Sequence, residues 1–178
     1  MAQCHIKYCQ NILFYQNNVL SLSLRFSKDT IAMTEINYMT QGNVVMPRLN
    51  EVGVQDWIVK VAATLGQKVG CLTYVFCDDE YILDTNRQFL GHDYYTDIIT
   101  FDYTNSRHIA GDMVISLDTV RSNAEMLGGV YEIELMRVMI HGVLHLCGIN
   151  DKGPGEREIM EKHENAALSI LPNNVFLK

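Results

Sequence analysis

Apolar and polar positions follow two rhythms along this chain, and the change from one to the other marks out its elements. Ile36, Tyr38 and Thr40 alternate with Asn37 and Met39, the period-two pattern of a short strand. Trp57, Ile58, Val61, Ala62 and Leu65 fall at helical spacing, and Gly66 follows where the helix should end. Val69 to Cys77 is rich in β-branched and aromatic residues, which predicts a buried strand. Asp78 is placed to cap a helix that turns Ile82, Leu83 and Phe89 inward. Ile98 to Phe101 and Met113 to Leu117 read as strands joined through the polar stretch Thr104 to His108. That link is short enough for a hairpin, so the sheet should be mixed. Asp118 is expected to cap a helix with Val120, Ala124 and Leu127 on one face and Gly128 and Gly129 at its end. A helix over Tyr131 to Cys147 would turn Ile133, Met136, Ile140, Val143 and Leu144 to the sheet. Beyond the loop Asn150 to Gly155, a last amphipathic helix carries Ile159, Met160, Ala166, Ala167 and Ile170, with Pro172 past its end. The order predicts an α+β fold: a mixed sheet of about four strands with packed helices. The 131–147 helix lies centrally in it.

Residues 1–32 depart from this pattern. They hold Lys7, Arg25 and Lys28 against Asp29, no Gly or Pro, and a run of Asn, Gln and Ser. They are expected to be a dispensable N-terminal extension, either an appendage or an upstream mis-start, since the weak charge and missing cleavage site fit no signal peptide. Residues 33–172 then form a single domain and 173–178 a tail. A chain of 178 residues suits one domain with a substantial core. No apolar run approaches the roughly 20 residues that span a bilayer, so no membrane partner is expected. The five cysteines, Cys4, Cys9, Cys71, Cys77 and Cys147, are odd in number and include no C-x-x-C pair. They read as reduced thiols, which points to a cytoplasmic protein. The net charge of −7 argues against a general nucleic-acid binder. Arg121, Arg137, Lys152, Arg157 and Lys162 could form a local basic rim, and surface charge balance accounts for them equally well.

The candidate chemistry lies in His141-Gly142-Val143-Leu144-His145-Leu146-Cys147-Gly148-Ile149-Asn150-Asp151. Two histidines four residues apart project from one helix face and can grip one ion. Gly148 is the residue type that takes the left-handed conformation at a helix end, letting the chain double back with Asp151. Three protein ligands leave coordination positions open, as catalytic metal sites do. Cys147 is offset by two from His145 and points elsewhere, as a packing thiol. His92, His108 and His163 have no spacing partner and are assigned to the surface.

The same ligand spacing occurs in metzincin proteases, whose first histidine is followed by a catalytic glutamate. Gly142 stands there instead, which disfavours a peptidase. The chain resembles the YbeY family of rRNA-maturation endoribonucleases over about residues 33–171. That family's H-G-x-L-H-L-x-G-x-D-H corresponds to His141 through Asp151, its T-D-V-L-S-F to Thr96-Asp97-Ile98-Ile99-Thr100-Phe101, and its L-G-D-I-x-I-S to Ala110 through Ser116. Two positions depart. Asp151 replaces the family's third histidine, with Asn150 before it in place of aspartate, and Leu90 stands where the family usually has an arginine. Aspartate remains an accepted zinc ligand, and Arg87 is a neighbour that could take over from the arginine.

The resemblance implies a single-strand-specific, metal-dependent endoribonuclease acting in maturation of small-subunit, 16S-type ribosomal RNA and in ribosome quality control. Its partners would be ribosomal RNA and the small ribosomal subunit, with no DNA. Its cofactor would be one divalent ion, Zn2+, held by His141, His145 and Asp151. No general base is identified: Asp112 and Asp97 are candidates, and each reads equally well as a structural carboxylate. The alternative is a non-catalytic, metal-stabilised ribosome-assembly factor, favoured by the missing base, Leu90 and the acidic charge.

Overall fold

A computed structural model of the protein describes residues 34–177. The expected extension 1–32 lies outside the described residues. Strand β1 (Glu35–Thr40) leads through helix α1 (Glu51–Thr64) to β2 (Val69–Cys77), and α2 (Asp79–Leu90) follows. The hairpin β3 (Ile98–Asp102) and β4 (Ile109–Ser116) precedes α3 (Leu117–Met126), α4 (Tyr131–Leu146) and α5 (Glu156–Ser169). The four strands form one sheet in the order β1-β2-β4-β3. β1 and β4 run parallel to β2, and β3 runs antiparallel to β4. The fold is therefore α+β with a mixed sheet, as the alternation of patterns predicts.

Strand alternation sorts the side chains onto two faces. Leu72, Tyr74, Phe76, Met113 and Ile115 join the larger core cluster, together with Trp57 and Ile58 of α1 and Met139, Ile140 and Val143 of α4. Val75, Cys77, Ile99 and Val114 form a smaller cluster on the opposite face with Ile82 of α2. Burial of each large side chain contributes roughly 1.5–3 kcal/mol, so the first face dominates stability. Two buried polar tips there are satisfied by backbone: Trp57 Nε1 donates to the Ala167 carbonyl at 2.9 Å, and Tyr74 Oη to that of Met139 at 3.2 Å. Both bonds tie α4 and α5 to the rest of the core. The last residues also pack back, with Val175 buried and its carbonyl accepting from Asn50 N at 2.8 Å.

Four local expectations are corrected. Helix α3 is capped by Ser116, whose Oγ accepts from Thr119 N at 3.1 Å, while Asp118 sits inside the first turn. β4 runs straight into the helix, so the strand's last residue becomes the cap. Phe89 is 44% exposed: it lies in the last turn of α2, which ends at Gly91 with a φ of 66°, and an edge-on contact with Phe101 of β3, centroids 5.5 Å apart, holds its ring to the sheet. Ile133 is 45% exposed, because it lies in the first turn of α4 and burial begins only two residues later, at Leu135. In α5 the buried positions are Met160, Glu164 and Ala167, whereas Ile159, Ala166 and Ile170 face solvent. The inward stripe of α5 therefore has a carboxylate at its centre.

Candidate metal centre

The site is built on the one face of α4 that the core leaves free. Glu134, Arg137, His141 and His145 recur at spacings of three and four, so they form a polar stripe along a helix that is otherwise buried from Leu135 onward. At the helix end, Gly148 takes a φ of 89° and the Ile149 N–H returns to the Leu144 carbonyl at 3.0 Å. This reversal carries Asp151 back over the two imidazoles, as its spacing predicts. His141 Nε2 lies 3.7 Å from Asp151 Oδ2, and His145 Nε2 lies 3.8 Å from Asp151 Oδ1. One donor atom from each of the three falls within 4.8 Å of the other two. The two rings stand nearly perpendicular, 89° apart, with centroids at 4.4 Å.

The residues behind this trio bear on whether a cation fits. His141 Nδ1 is hydrogen-bonded to Glu164 Oε1 at 2.7 Å, and His145 Nδ1 to the Ile149 carbonyl at 2.8 Å. Each imidazole therefore has Nδ1 committed to an acceptor and Nε2 turned toward Asp151, the outer-shell arrangement typical of metal-ligating histidines. Two bonds of roughly 2.0–2.2 Å from one centre can span the observed N···O separations. Burial, and then the neighbouring His141, push the His145 imidazole below its ordinary pKa, favouring the neutral form a cation requires. The donor set thus fits a divalent ion.

Sequence reading missed Glu164. Burial raises its carboxyl, but the hydrogen bond and charge of His141, followed by those of Arg137, outweigh this and hold it below the usual glutamate range. The available signal was a charged residue inside the apolar stripe of α5. Glu164→Gln keeps the shape but loses the anion behind His141, and is expected to weaken metal affinity roughly 10- to 100-fold. Competition with a chromogenic chelator measures this.

The trio opens into a groove of about 650 Å³ also lined by Asp97, Thr100, Glu134, Arg137, Lys152 and Arg157. Of the basic residues considered for a rim, Arg137 is engaged by Glu134 at 3.5 Å and Glu164 at 3.2 Å. Arg121 lies 3.9 Å from Asp118 and covers the Tyr131 ring. Lys152 and Arg157 border the trio itself, with Arg157 Nη1 3.9 Å from Asp151 Oδ2. Leu90 and His92 line the groove too, so His92 is a feature of this site rather than of the general surface.

The two carboxylates considered as bases fall in different places. Asp97 lines the groove and accepts from Asn123 Nδ2 at 3.4 Å. Asp112 does not line it. A Cβ at Gly111 would meet Leu146, and Met113 reaches Gly142, so alternation along β4 turns Asp112 to the sheet face away from α4. There it is 2% exposed, and its Oδ1 has no hydrogen-bond partner among the described residues. Burial raises its pKa from 3.8 to about 6, against opposing hydrogen bonds from Thr73 and Tyr103. A carboxyl whose folded pKa is raised favours the folded state at low pH and costs stability as pH climbs from 3.8 through about 6. The full cost is roughly 3 kcal/mol. Asp112→Asn is therefore expected to raise the melting temperature at pH ~8 and leave it nearly unchanged near pH ~4. Equal effects at both pH values in thermal melts would contradict this.

Comparison with known proteins bears on the same residues. The family model described as Endoribonuclease YbeY matches residues 35–172, which include all three members of the trio and Glu164. A Parabacteroides distasonis protein named endoribonuclease YbeY is 61% identical over 130 residues, covering 73% of this chain and 92% of its own. One of the same name from Bacteroides thetaiotaomicron is 58% identical over 135 residues, covering 76% and 98%. The solution structure of a Thermotoga maritima protein superposes with a TM-score of 0.52 at 22% identity, over 75% of this chain and 89% of that one, a likeness of fold. Among the described residues no helix is long and apolar enough to cross a membrane. With the match running from β1 to just past α5, and more than half of the aligned residues shared with such relatives, the chain belongs to the YbeY family.

Proposed function

We propose that this chain is a single-strand-specific, metal-dependent endoribonuclease that acts on ribosomal RNA of the small subunit during its maturation and quality control in the cytoplasm. The observation that carries the reading is the convergence of His141, His145 and Asp151 at an open groove in a chain of this family. Relatives named endoribonuclease YbeY support the reaction class.

His141, His145 and Asp151 would hold one divalent ion, zinc by the nature of the ligands. When bound, such an ion supplies positive charge and Lewis acidity to a phosphodiester. The protein's part is to orient and to neutralise. Glu164 and the Ile149 carbonyl fix the two imidazoles, so the site needs little rearrangement to bind. Lys152 and Arg157, beside Asp151, are placed to meet phosphate oxygens of a strand entering the groove. Asp97 is the carboxylate of the two candidates that could reach a bound strand.

The test joins elemental analysis of the purified full chain to cleavage of single-stranded RNA in matched zinc, manganese and magnesium. Cleavage that stops on chelation and returns with about one ion per chain supports the reading. A metal-bound, folded protein that cuts no RNA would point to the non-catalytic assembly factor. Peptide cleavage would point to a protease.

Asp151 makes the site more anionic than a third histidine would. The ion keeps less residual positive charge, and harder ions such as manganese are better tolerated. Asp151→His is expected to bind zinc at least as well, to shift the cleavage optimum to lower pH and to narrow the metal preference. Superimposable pH–rate profiles for the two proteins would show the exchange to be silent.

A further inference from the structure

The groove has an aromatic lip. Tyr94 is 57% exposed and stacks on His92, with centroids 5.1 Å apart and planes at 20°. Its Oη lies 3.0 Å from His92 Nδ1, and both residues line the groove that holds the trio. The loop carrying them is anchored to α2 by polar contacts. Asn86, itself buried, donates Nδ2 to the Tyr94 carbonyl at 3.0 Å, and Arg87 Nε donates to Asp93 at 2.7 Å. The backbone of the lip is thus tethered while the Tyr94 ring remains open to solvent. Core packing does not account for an aromatic ring held in this way.

We propose that the stacked Tyr94–His92 pair is a platform for one unpaired nucleobase of a single-stranded RNA whose backbone runs along the groove. This rests on the ribonuclease reading above and adds how the strand is gripped. Unpaired bases offer their flat faces to aromatic side chains, whereas a duplex hides them. Electrostatics in this chain favours such a grip. The net charge is −7, and of the groove's cations Arg137 is already paired with Glu134 and Glu164, which leaves Lys152 and Arg157 for phosphate and limits that attraction. Leu90, exposed on the same wall, adds apolar surface rather than charge.

The test titrates the purified full chain with a fluorescent, cleavage-resistant 2′-O-methyl hexa-adenylate, alongside cleavage kinetics on single-stranded RNA. Tyr94→Leu keeps apolar bulk but loses the π face, and is expected to weaken binding about tenfold and to raise KM similarly, with kcat little changed. Tyr94→Phe and Tyr94→Trp should stay within about twofold of wild type, because stacking needs only the ring. The salt dependence of binding should be the same for wild type and Tyr94→Leu, since no phosphate contact is lost. Thermal melts check that Tyr94→Leu folds, and if it does not, Tyr94→Phe against His92→Ala decides, with the loss expected only for the latter. Wild-type affinity and KM in Tyr94→Leu, or in His92→Ala where that pair decides, would overturn the platform while RNA cleavage by wild type kept the ribonuclease reading. A wild-type chain that neither binds nor cuts RNA would overturn both.

Discussion

His145→Ala is expected to release the metal and end RNA cleavage while the fold survives. His145 would supply one of three ligands, and its loss leaves His141 and Asp151, too few to retain an ion against solvent at neutral pH. The structural cost should be small, because the ring sits on the groove side of α4 and the buried positions of that helix are untouched. What is lost from the fold is the 2.8 Å bond from His145 Nδ1 to the Ile149 carbonyl, worth about 1 kcal/mol. That corresponds to a fall in melting temperature of roughly 3–5 °C for a domain of this size. Elemental analysis, cleavage and thermal melts on one preparation separate the two effects. Full metal content with undiminished cleavage would remove His145 from the site, whereas global unfolding would show that the motif is chiefly structural.

Much of this architecture is legible in the sequence because each element carries its own period. Val69–Cys77 reads as a strand from its β-branched and aromatic residues, and the hairpin follows from a polar link between two strand patterns. The trio is legible for a local reason as well. Two ligands lie one turn apart, and Gly148 fixes the direction of return, so their proximity needs no long-range contact. Features set by tertiary context were not legible. Glu164 lies 23 positions from His141, and only the packing of α5 against α4 makes it a partner of that ring. Asp112 follows a glycine at what looks like a loop, yet it lies within β4 on the far face, since which way a strand's odd and even residues point depends on what packs where. His92 looks solitary because its partner, Tyr94, reaches it through a loop conformation set by Asn86.

Gly142→Glu, which would restore the glutamate that metzincins carry after their first histidine, is expected to prevent folding rather than confer proteolysis. Although Gly142 follows His141 directly, one helical step of about 100° turns it from the groove into the core. A Cβ there would lie 2.8 Å from Ile98 Cδ1 and 2.9 Å from Met113 Sδ, closer than such atoms can approach. Those atoms are the far ends of flexible side chains, so alanine can be accommodated. Overpacking costs roughly 1–3 kcal/mol, while replacing a mid-helix glycine returns about 1 kcal/mol of helix propensity. Gly142→Ala should therefore fold with a net loss of at most about 2 kcal/mol. Beyond Cβ, glutamate adds four further heavy atoms, three of them a carboxylate, between α4 and the sheet. The apolar side chains of Ile98 and Met113 offer that charge no partner. An unpaired buried charge costs several kcal/mol even after relaxation, comparable to the roughly 5–15 kcal/mol that holds a domain of this size together. Circular dichroism and melting of the two variants give the comparison: a folded Gly142→Ala beside an unfolded or aggregated Gly142→Glu. If Gly142→Glu melted like wild type, its carboxylate would have found a way out of the core, and α4 would be free to rotate on the sheet in a way this packing forbids.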